Sequence, residues 1–316
     1  MATYLITGGA GFIGSNIAEE LIKRGEKVRI IDNFSTGKME NIEEFKDKIE
    51  LIEGDLKNIS DVKKAVKGID YILHQAALSS VPRSVEDPLS SNTNNIDGTL
   101  NLLVAAKEAR VKRVVIAASS SAYGDTEVLP KSEDMIPNPL SPYAVTKYVE
   151  ELYGKVFYNI YGLETVSLRY FNVFGPKQDP NSQYAAVIPK FITKILKGES
   201  PVIFGDGEQT RDFTYVANVV EANILAATSE NVGHGEVINI ACGESISLNQ
   251  LVKKINEILG TNVKPLYDKP RIGDVKHSLA SIEKAKKLLG YRVSVKFEEG
   301  LKKTIDWYKK RGESFA

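Results

Sequence analysis

"TYLITGGAGFIGSNIAEELIKRG", residues 3–25, passes from a short apolar run through a cluster of glycines into a helical pattern closed by Gly25. Glycines at 8, 11 and 14 let backbone approach a bound group at a helix N-terminus, where free amides and the helix dipole favour an anion such as a pyrophosphate. Gly9, Gly11 and Gly14 also spell G-x-G-x-x-G, a weak signal alone and a strong one directly after the first strand of a chain. The strand, turn and helix then recur. KVRIID (27–32), IELIEGD (49–55) and DYILHQAA (70–77) read as strands, DVKKAVKG (61–68) as a helix and DGTLNLLVAAKEARV (97–111) as a long amphipathic helix. VKRVVIAASSS (111–121) reads as a buried strand ending in serines, and ETVSLRYFNVFG (164–175) as a further strand.

Alternation of this length predicts an α/β fold, a Rossmann-type doubly wound parallel sheet with helices on both faces. In such sheets a ligand lies beyond the carboxyl ends of the strands. Those ends carry the Gly8 cluster, Asp32, Asp55, Ala76, Ser119 and Asn172, so six segments are expected to meet at one crevice. After about residue 175 the alternation loosens into short helices, the loop FGDGEQTRDFTYV and a lysine-rich C-terminal helix. The expectation is a cofactor-binding domain over 1–175 that carries the catalytic residues, and a smaller mixed α/β substrate-binding lobe over 176–316, with segments that could interleave.

The 316 residues suffice for a sizeable core. Lysine plus arginine equal aspartate plus glutamate at 41 each, so no global field recruits nucleic acid or an anionic membrane. A single cysteine, Cys242, and three scattered histidines allow no internal disulfide and make a poor metal ligand set. No apolar run reaches the ~18–20 residues of a membrane span, and the N-terminus lacks the pattern of a signal peptide. A soluble cytoplasmic protein without a structural metal is expected.

Asp32 ends the second strand, 18 residues beyond Gly14, the spacing of a carboxylate that accepts hydrogen bonds from an adenosine ribose. It would repel a 2′-phosphate, which favours NAD over NADP, although Asn33 could soften that preference. Asp55 fits an adenine contact or a helix N-cap equally well.

In "SPYAVTKYVEELY" (141–153), Tyr143 and Lys147 are four residues apart and share one helix face. Tyrosine is a poor base at neutral pH because its free pKa is about 10. A neighbouring ammonium and a positive nicotinamide ring stabilise the phenolate and lower that value. Ser119, at a strand end, could hydrogen-bond the same substrate oxygen.

With these residues assembled, the chain resembles an extended short-chain dehydrogenase/reductase of the nucleotide-sugar 4-epimerase group. The matching motifs are TGGAGFIG (7–14), Asp32, GDL (54–56), HQAA (74–77), NNIDGT (94–99), SSSAYGD (119–125), YAVTK (143–147), RYFNVFGP (169–176), RDFTYV (211–216) and RIGD (271–274), spread over essentially the whole chain. The resemblance implies Tyr143 as acid/base, Lys147 on the nicotinamide ribose, and Ser119 as the catalytic hydroxyl, with Ser120 and Ser121 as close competitors. For NAD it implies Gly8, Gly11, Phe12, Ile13, Gly14, Asp32, Asn33, Asp55, Leu56, Gln75, Ala76, Ala77, Asn94 and Lys147. For a UDP-sugar it implies Ser79, Arg83, Ser120, Ser121, Tyr143, Asn172, Val187, Phe204, Arg211, Arg271, Asp274 and Ser278.

The implied reaction is 4-epimerisation through a transient 4-keto sugar, with NAD held as a prosthetic group. Related dehydratases carry an Asp-Glu pair where this chain has Ser120 and Ser121, and related decarboxylases a glutamate in the same stretch. Four residues after the aspartate of RIGD the family places a side chain at the hexose wall. It is bulky in enzymes restricted to UDP-Glc/UDP-Gal and small in those that accept N-acetylated sugars, and here it is Ser278. The resemblance therefore implies UDP-GlcNAc/UDP-GalNAc as substrates, with the plain hexoses also admitted. Helices near 95–110 and 143–160 resemble the pair through which relatives dimerise, so a homodimer is expected. The alternatives are UDP-glucuronate 4-epimerisation, another NAD-dependent nucleotide-sugar conversion such as 4-keto reduction, and, in a different class, non-catalytic NAD binding for regulation.

Overall fold

The structure is a computed structural model that describes residues 1–181, 186–270 and 275–312. The first half runs β1 (Thr3–Thr7), α1 (Phe12–Lys23), β2 (Lys27–Asp32), β3 (Ile49–Glu53), α2 (Ile59–Val66), β4 (Tyr71–His74), α3 (Val81–Glu86), α4 (Pro88–Asn92), α5 (Gly98–Glu108), β5 (Arg113–Ser119), α6 (Pro142–Tyr161) and β6 (Glu164–Tyr170). Then follow β7 (Val173–Phe174), α7 (Val187–Leu196), β8 (Val202–Phe204), β9 (Thr210–Arg211), β10 (Thr214–Tyr215), α8 (Val216–Thr228), β11 (His234–Ile240), β12 (Ile246–Ser247), α9 (Leu248–Leu259), β13 (Leu266–Asp268), α10 (Glu283–Leu289) and α11 (Phe297–Gly312).

Seven strands form one parallel sheet in the order β11-β6-β5-β4-β1-β2-β3. The strand order reverses at β1, between β4 and β2, so the first glycine turn opens at the topological switch point. Side-chain alternation feeds two cores. Ile6, Ile30, Leu73 and Val115 face one, and Leu5, Ile31, Ile72 and Val114 face the other. Helices α1 and α8 cover the first face, and α2, α5 and α6 the second. A π-helical turn over Thr93–Asp97 joins α4 to α5.

The strand expected over 164–175 is shorter. Its last bond to the sheet is from Phe171, which donates its amide to Ile240 O of β11, and the chain then turns away at Asn172, which takes a positive φ of 34°. Val173 and Phe174 then pair with β10 instead. Chain beyond residue 175 also returns to the main sheet. β11 pairs with β6, and Arg113 at the start of β5 donates to the carbonyls of Ala226, Ala227 and Ser229 at the end of α8. The remaining elements are short and mixed, with β8 parallel to β13 and β9 antiparallel to β12. Phe174, Phe213, Tyr215 and Phe297 pack there with ring centroids 5.6–6.3 Å apart. Asp212, fully buried, ties these parts together by accepting the amides of Cys242, Gly243 and Ala280 at 3.0–3.2 Å.

Candidate active site

A groove of about 820 Å³ lies across the carboxyl ends of β1, β2, β3 and β4. The turn after β1 builds one wall. Gly8 has φ +65°, and a Cβ there would fall 2.8 Å from the Ala76 backbone. A Cβ on Gly14 would lie 2.3 Å from Gly8 O, so α1 and β1 approach closely only because both positions are glycine. No side chain caps the start of α1 and its first turn holds no acid, which leaves its leading amides to an anion. Gly9 packs on Ile30 and does not line the groove, so the lining glycines of this turn are 8, 11 and 14.

Asp32, at the end of β2, is buried and accepts the amides of Ala10 (2.9 Å) and Phe34 (2.8 Å). Burial raises its pKa while those two amides lower it. Asn33 donates to Asp55 at 3.1 Å, joining the ends of β2 and β3. The helix-capping role that was open for Asp55 is taken by Asn58, whose side chain accepts the Ser60 amide. Phe12, Ile13, Leu56, Gln75, Ala76, Ala77 and Asn94 complete the expected cofactor set on the groove wall. A cradle that a Cβ would fill, an uncapped helix start and an acceptor at the end of β2 fit a dinucleotide.

At the other end of the groove stand Tyr143 and Lys147, on the first two turns of α6. Ser141 caps this helix and Pro142 opens it, while Ser84 accepts the Tyr143 amide at 3.0 Å. Lys147 Nζ donates to Ala117 O (2.9 Å) and to Glu150 Oε2 (3.0 Å). Ser119, at the end of β5, lies beside the Tyr143 hydroxyl. Burial raises the Tyr143 pKa; the Lys147 charge and the Ser119 hydroxyl lower it, and Glu150 raises it further. Of the three serines, Ser119 is the one that meets Tyr143. Ser121 supports it, donating its amide (3.2 Å) and hydroxyl (2.8 Å) to Ser119 Oγ, while the cavity wall itself takes Ala117 and Ala118 of β5 and none of the three serines.

A second cavity of about 300 Å³ gathers Asn172, Val187, Phe204 and Arg211, four of the expected substrate residues. Ala186 belongs to the walls of both cavities, so the second adjoins the first. Arg211 Nη1 donates to the carbonyls of Thr210 (2.9 Å) and Lys276 (3.3 Å). Ser79 and Arg83 line the groove. Ser278 is buried, with its amide on Thr210 O, and lines neither cavity. Arg271 and Asp274 lie outside the described residues.

Several lining residues were missed by the sequence reading. The loop Phe34–Lys38 carries a sequence signal in its Gly37, over which Asp32 closes. Tyr170 lies within the RYFNVFGP motif, whereas residues 177–181, and Trp307, Tyr308 and Arg311 of α11, gave no signal. Ion pairs Lys38–Asp179 (3.0 Å) and Glu40–Arg311 (3.5 Å) join these segments at the groove. Asn95, next to the predicted Asn94, is buried and bonds both the Leu78 amide (2.8 Å) and Thr146 Oγ1 (2.9 Å), one residue before Lys147.

Residues 4–241 match the model of the NAD dependent epimerase/dehydratase family. Among solved structures, a UDP-N-acetylglucosamine 4-epimerase from Methanobrevibacter ruminantium in complex with UDP-N-acetylmuramic acid is 47% identical with a TM-score of 0.94, covering 98% of this chain and 99% of that one. A Thermotoga maritima UDP-glucose 4-epimerase with UDP-glucose is 40% identical with a TM-score of 0.93, over 98% and 99% of the two chains. A UDP-glucose 4-epimerase of Mycolicibacterium smegmatis is 36% identical over 98% of this chain and 99% of its own length. The dinucleotide groove, the Ser-Tyr-Lys cluster and these matches agree: the chain belongs to the NAD-dependent epimerase/dehydratase family.

Proposed function

We propose that this protein is a UDP-hexose 4-epimerase whose substrates are UDP-GlcNAc and UDP-GalNAc, with UDP-Glc and UDP-Gal also admitted. The observation that carries the reading is the pair Tyr143 and Lys147, with Ser119 beside Tyr143, at the end of a dinucleotide groove that adjoins a second cavity bearing Arg211. NAD, when bound, supplies the acceptor and donor of hydride at sugar C4. Tyr143 takes the proton from the 4-hydroxyl and returns it after the 4-keto sugar has turned over. Ser119 hydrogen-bonds the same oxygen, and the Lys147 ammonium stabilises the phenolate. Arg211 holds the diphosphate, since a guanidinium fork matches phosphate oxygens. The placement of Ser79 and Arg83 on the groove favours room for an N-acetyl group, as does the similarity to an enzyme named for UDP-N-acetylglucosamine; the small Ser278 supports this only through the family resemblance, since it lines neither cavity.

A homodimer is part of this reading. Val145, Leu152, Val156 and Ile160 are exposed apolar side chains at helical spacing on α6, a stripe suited to a second copy. Light scattering at micromolar protein should give twice the chain mass.

The deciding experiment is proton NMR of the purified protein with UDP-GlcNAc and no added cofactor, beside a UDP-Glc control. Appearance of UDP-GalNAc supports the reading. Conversion of UDP-Glc alone keeps the mechanism and rejects the sugar assignment. Conversion of neither, even with NAD added, rejects both and turns attention to UDP-glucuronate.

A further inference from the structure

The inner face of α6 presents Tyr143, Lys147, Glu150 and Gly154 toward the sheet, at the i, i+4, i+7 and i+11 positions of one stripe. Gly154 packs close to Ile116 and Thr165, as a core position should. Glu150 does not fit that pattern. It is a carboxyl group with no exposed side-chain surface, and among the described residues its ionic partner is Lys147 at 3.0 Å, itself only 4% exposed. Its other oxygen, Oε1, is buried with no hydrogen-bond partner among the described residues. A half-satisfied carboxylate in a core is destabilising, and such groups gather where a charge is used.

The other charges around it are committed elsewhere. Glu151, the next residue, is held by Arg169 of β6 through two bonds of 2.8 and 2.7 Å, and that guanidinium lies 4.4 Å from the Tyr123 ring centroid. His74 of β4 bridges Thr7 and Thr99, and burial beside the Lys147 charge keeps it neutral. Arg113 of β5 binds Glu164 at the far end of the sheet, and His234 and Glu236 of β11 pair with each other. Glu150 therefore faces Lys147 and, through it, Tyr143, with the Glu151 charge also acting on it.

We infer that Glu150 is a positioning residue that sets the working pH of Tyr143 by holding Lys147 Nζ against Ala117 O and compensating part of its charge. This rests on Tyr143 being the acid/base of the proposed reaction. With Glu150 ionised, less of the Lys147 field reaches the phenolate, and Tyr143 keeps its proton to higher pH. With Glu150 neutral, the full ammonium charge favours the phenolate. Burial, with a lesser push from the Glu151 charge, brings the Glu150 carboxyl up to about 7 against the opposing pull of Lys147, so its charge changes within the range where such an enzyme works. Coupled titration of the two groups spreads the acid limb of the rate profile over a wider pH range than one group would give.

The test is the pH dependence of kcat for the NAD-loaded wild type and Glu150→Gln, with Tyr143→Phe measured alongside, on whichever UDP-hexose turns over. The isosteric amide keeps a hydrogen-bond acceptor for Lys147 and removes the charge. The expected result is an acid limb that moves to lower pH by on the order of half a unit to one unit and becomes steeper. A limb that stays in place, or moves to higher pH, with NAD content unchanged, overturns the inference. Should Glu150→Gln fail to fold, Glu150→Met replaces it, with the same expected shift. Failure of both neutral variants to fold would also overturn the inference, since the carboxylate would then serve the fold. Activity retained by Tyr143→Phe would instead overturn the underlying mechanism.

Discussion

The two ends of the site are built from different materials. Around Gly8 and Asp32 the groove is made of backbone: a glycine turn, a free helix start and strand ends whose amides fix the carboxylate. Around Asn172 and Arg211 the cavity is made of side chains on short elements that belong to no large sheet. A backbone-built site tolerates little change and serves one ligand. A side-chain-built site can be re-cut for another sugar without disturbing the sheet.

The contrast can be broken most sharply at Gly14. A Cβ there meets Gly8 O at 2.3 Å, so Gly14→Ala should force the turn apart. Retained NAD should fall by on the order of 100-fold, about 3 kcal/mol, measured as cofactor released on denaturation of the purified protein. Arg211→Ala should do the opposite, leaving NAD content at the wild-type level while KM for the UDP-sugar rises about 10- to 30-fold through loss of a charged hydrogen bond. Equal loss of NAD in both variants would erase the distinction between the two ends. Ser278→Tyr sharpens it further. Selectivity should turn against UDP-GlcNAc relative to UDP-Glc by about tenfold in kcat/KM, the scale of a steric change in a pocket. Normal turnover of UDP-GlcNAc would remove Ser278 from the sugar wall. The smallest effect belongs to Asp179→Ala, which opens the half-exposed ion pair to Lys38 and should speed NAD release about two- to fivefold in a dissociation assay.

The same contrast explains what was legible in the sequence. Gly8, Gly11, Gly14 and Asp32 follow each other within one β-α-β unit, so their spacing alone places them together. Tyr143 and Lys147 are legible because a helix makes them neighbours. Lys38, Asp179 and Arg311 come from three distant segments, and no periodicity links them. Glu150 sat in plain view between the catalytic lysine and Glu151, yet only the packing shows that it points inward while Glu151 pairs with Arg169. The end of β6 was misjudged because an apolar run through Phe174 hides the turn at Asn172.

One feature of the sheet bears on how the chain is made. β6, the strand after the catalytic helix, is flanked on its outer side by β11, and Arg113 of β5 is anchored on the end of α8. A ribosome that has released residues 1–175 has still not delivered the outer partner of β6, which arrives only when Ile240 is out. Until then β6 is an open edge, poised to pair with another nascent chain. The completed fold therefore depends on contacts far apart in sequence, which makes for slow folding and a need for protection during synthesis. It also makes the first half a poor candidate for an independent module, since cutting the chain at residue 175 would take away the strand that covers β6.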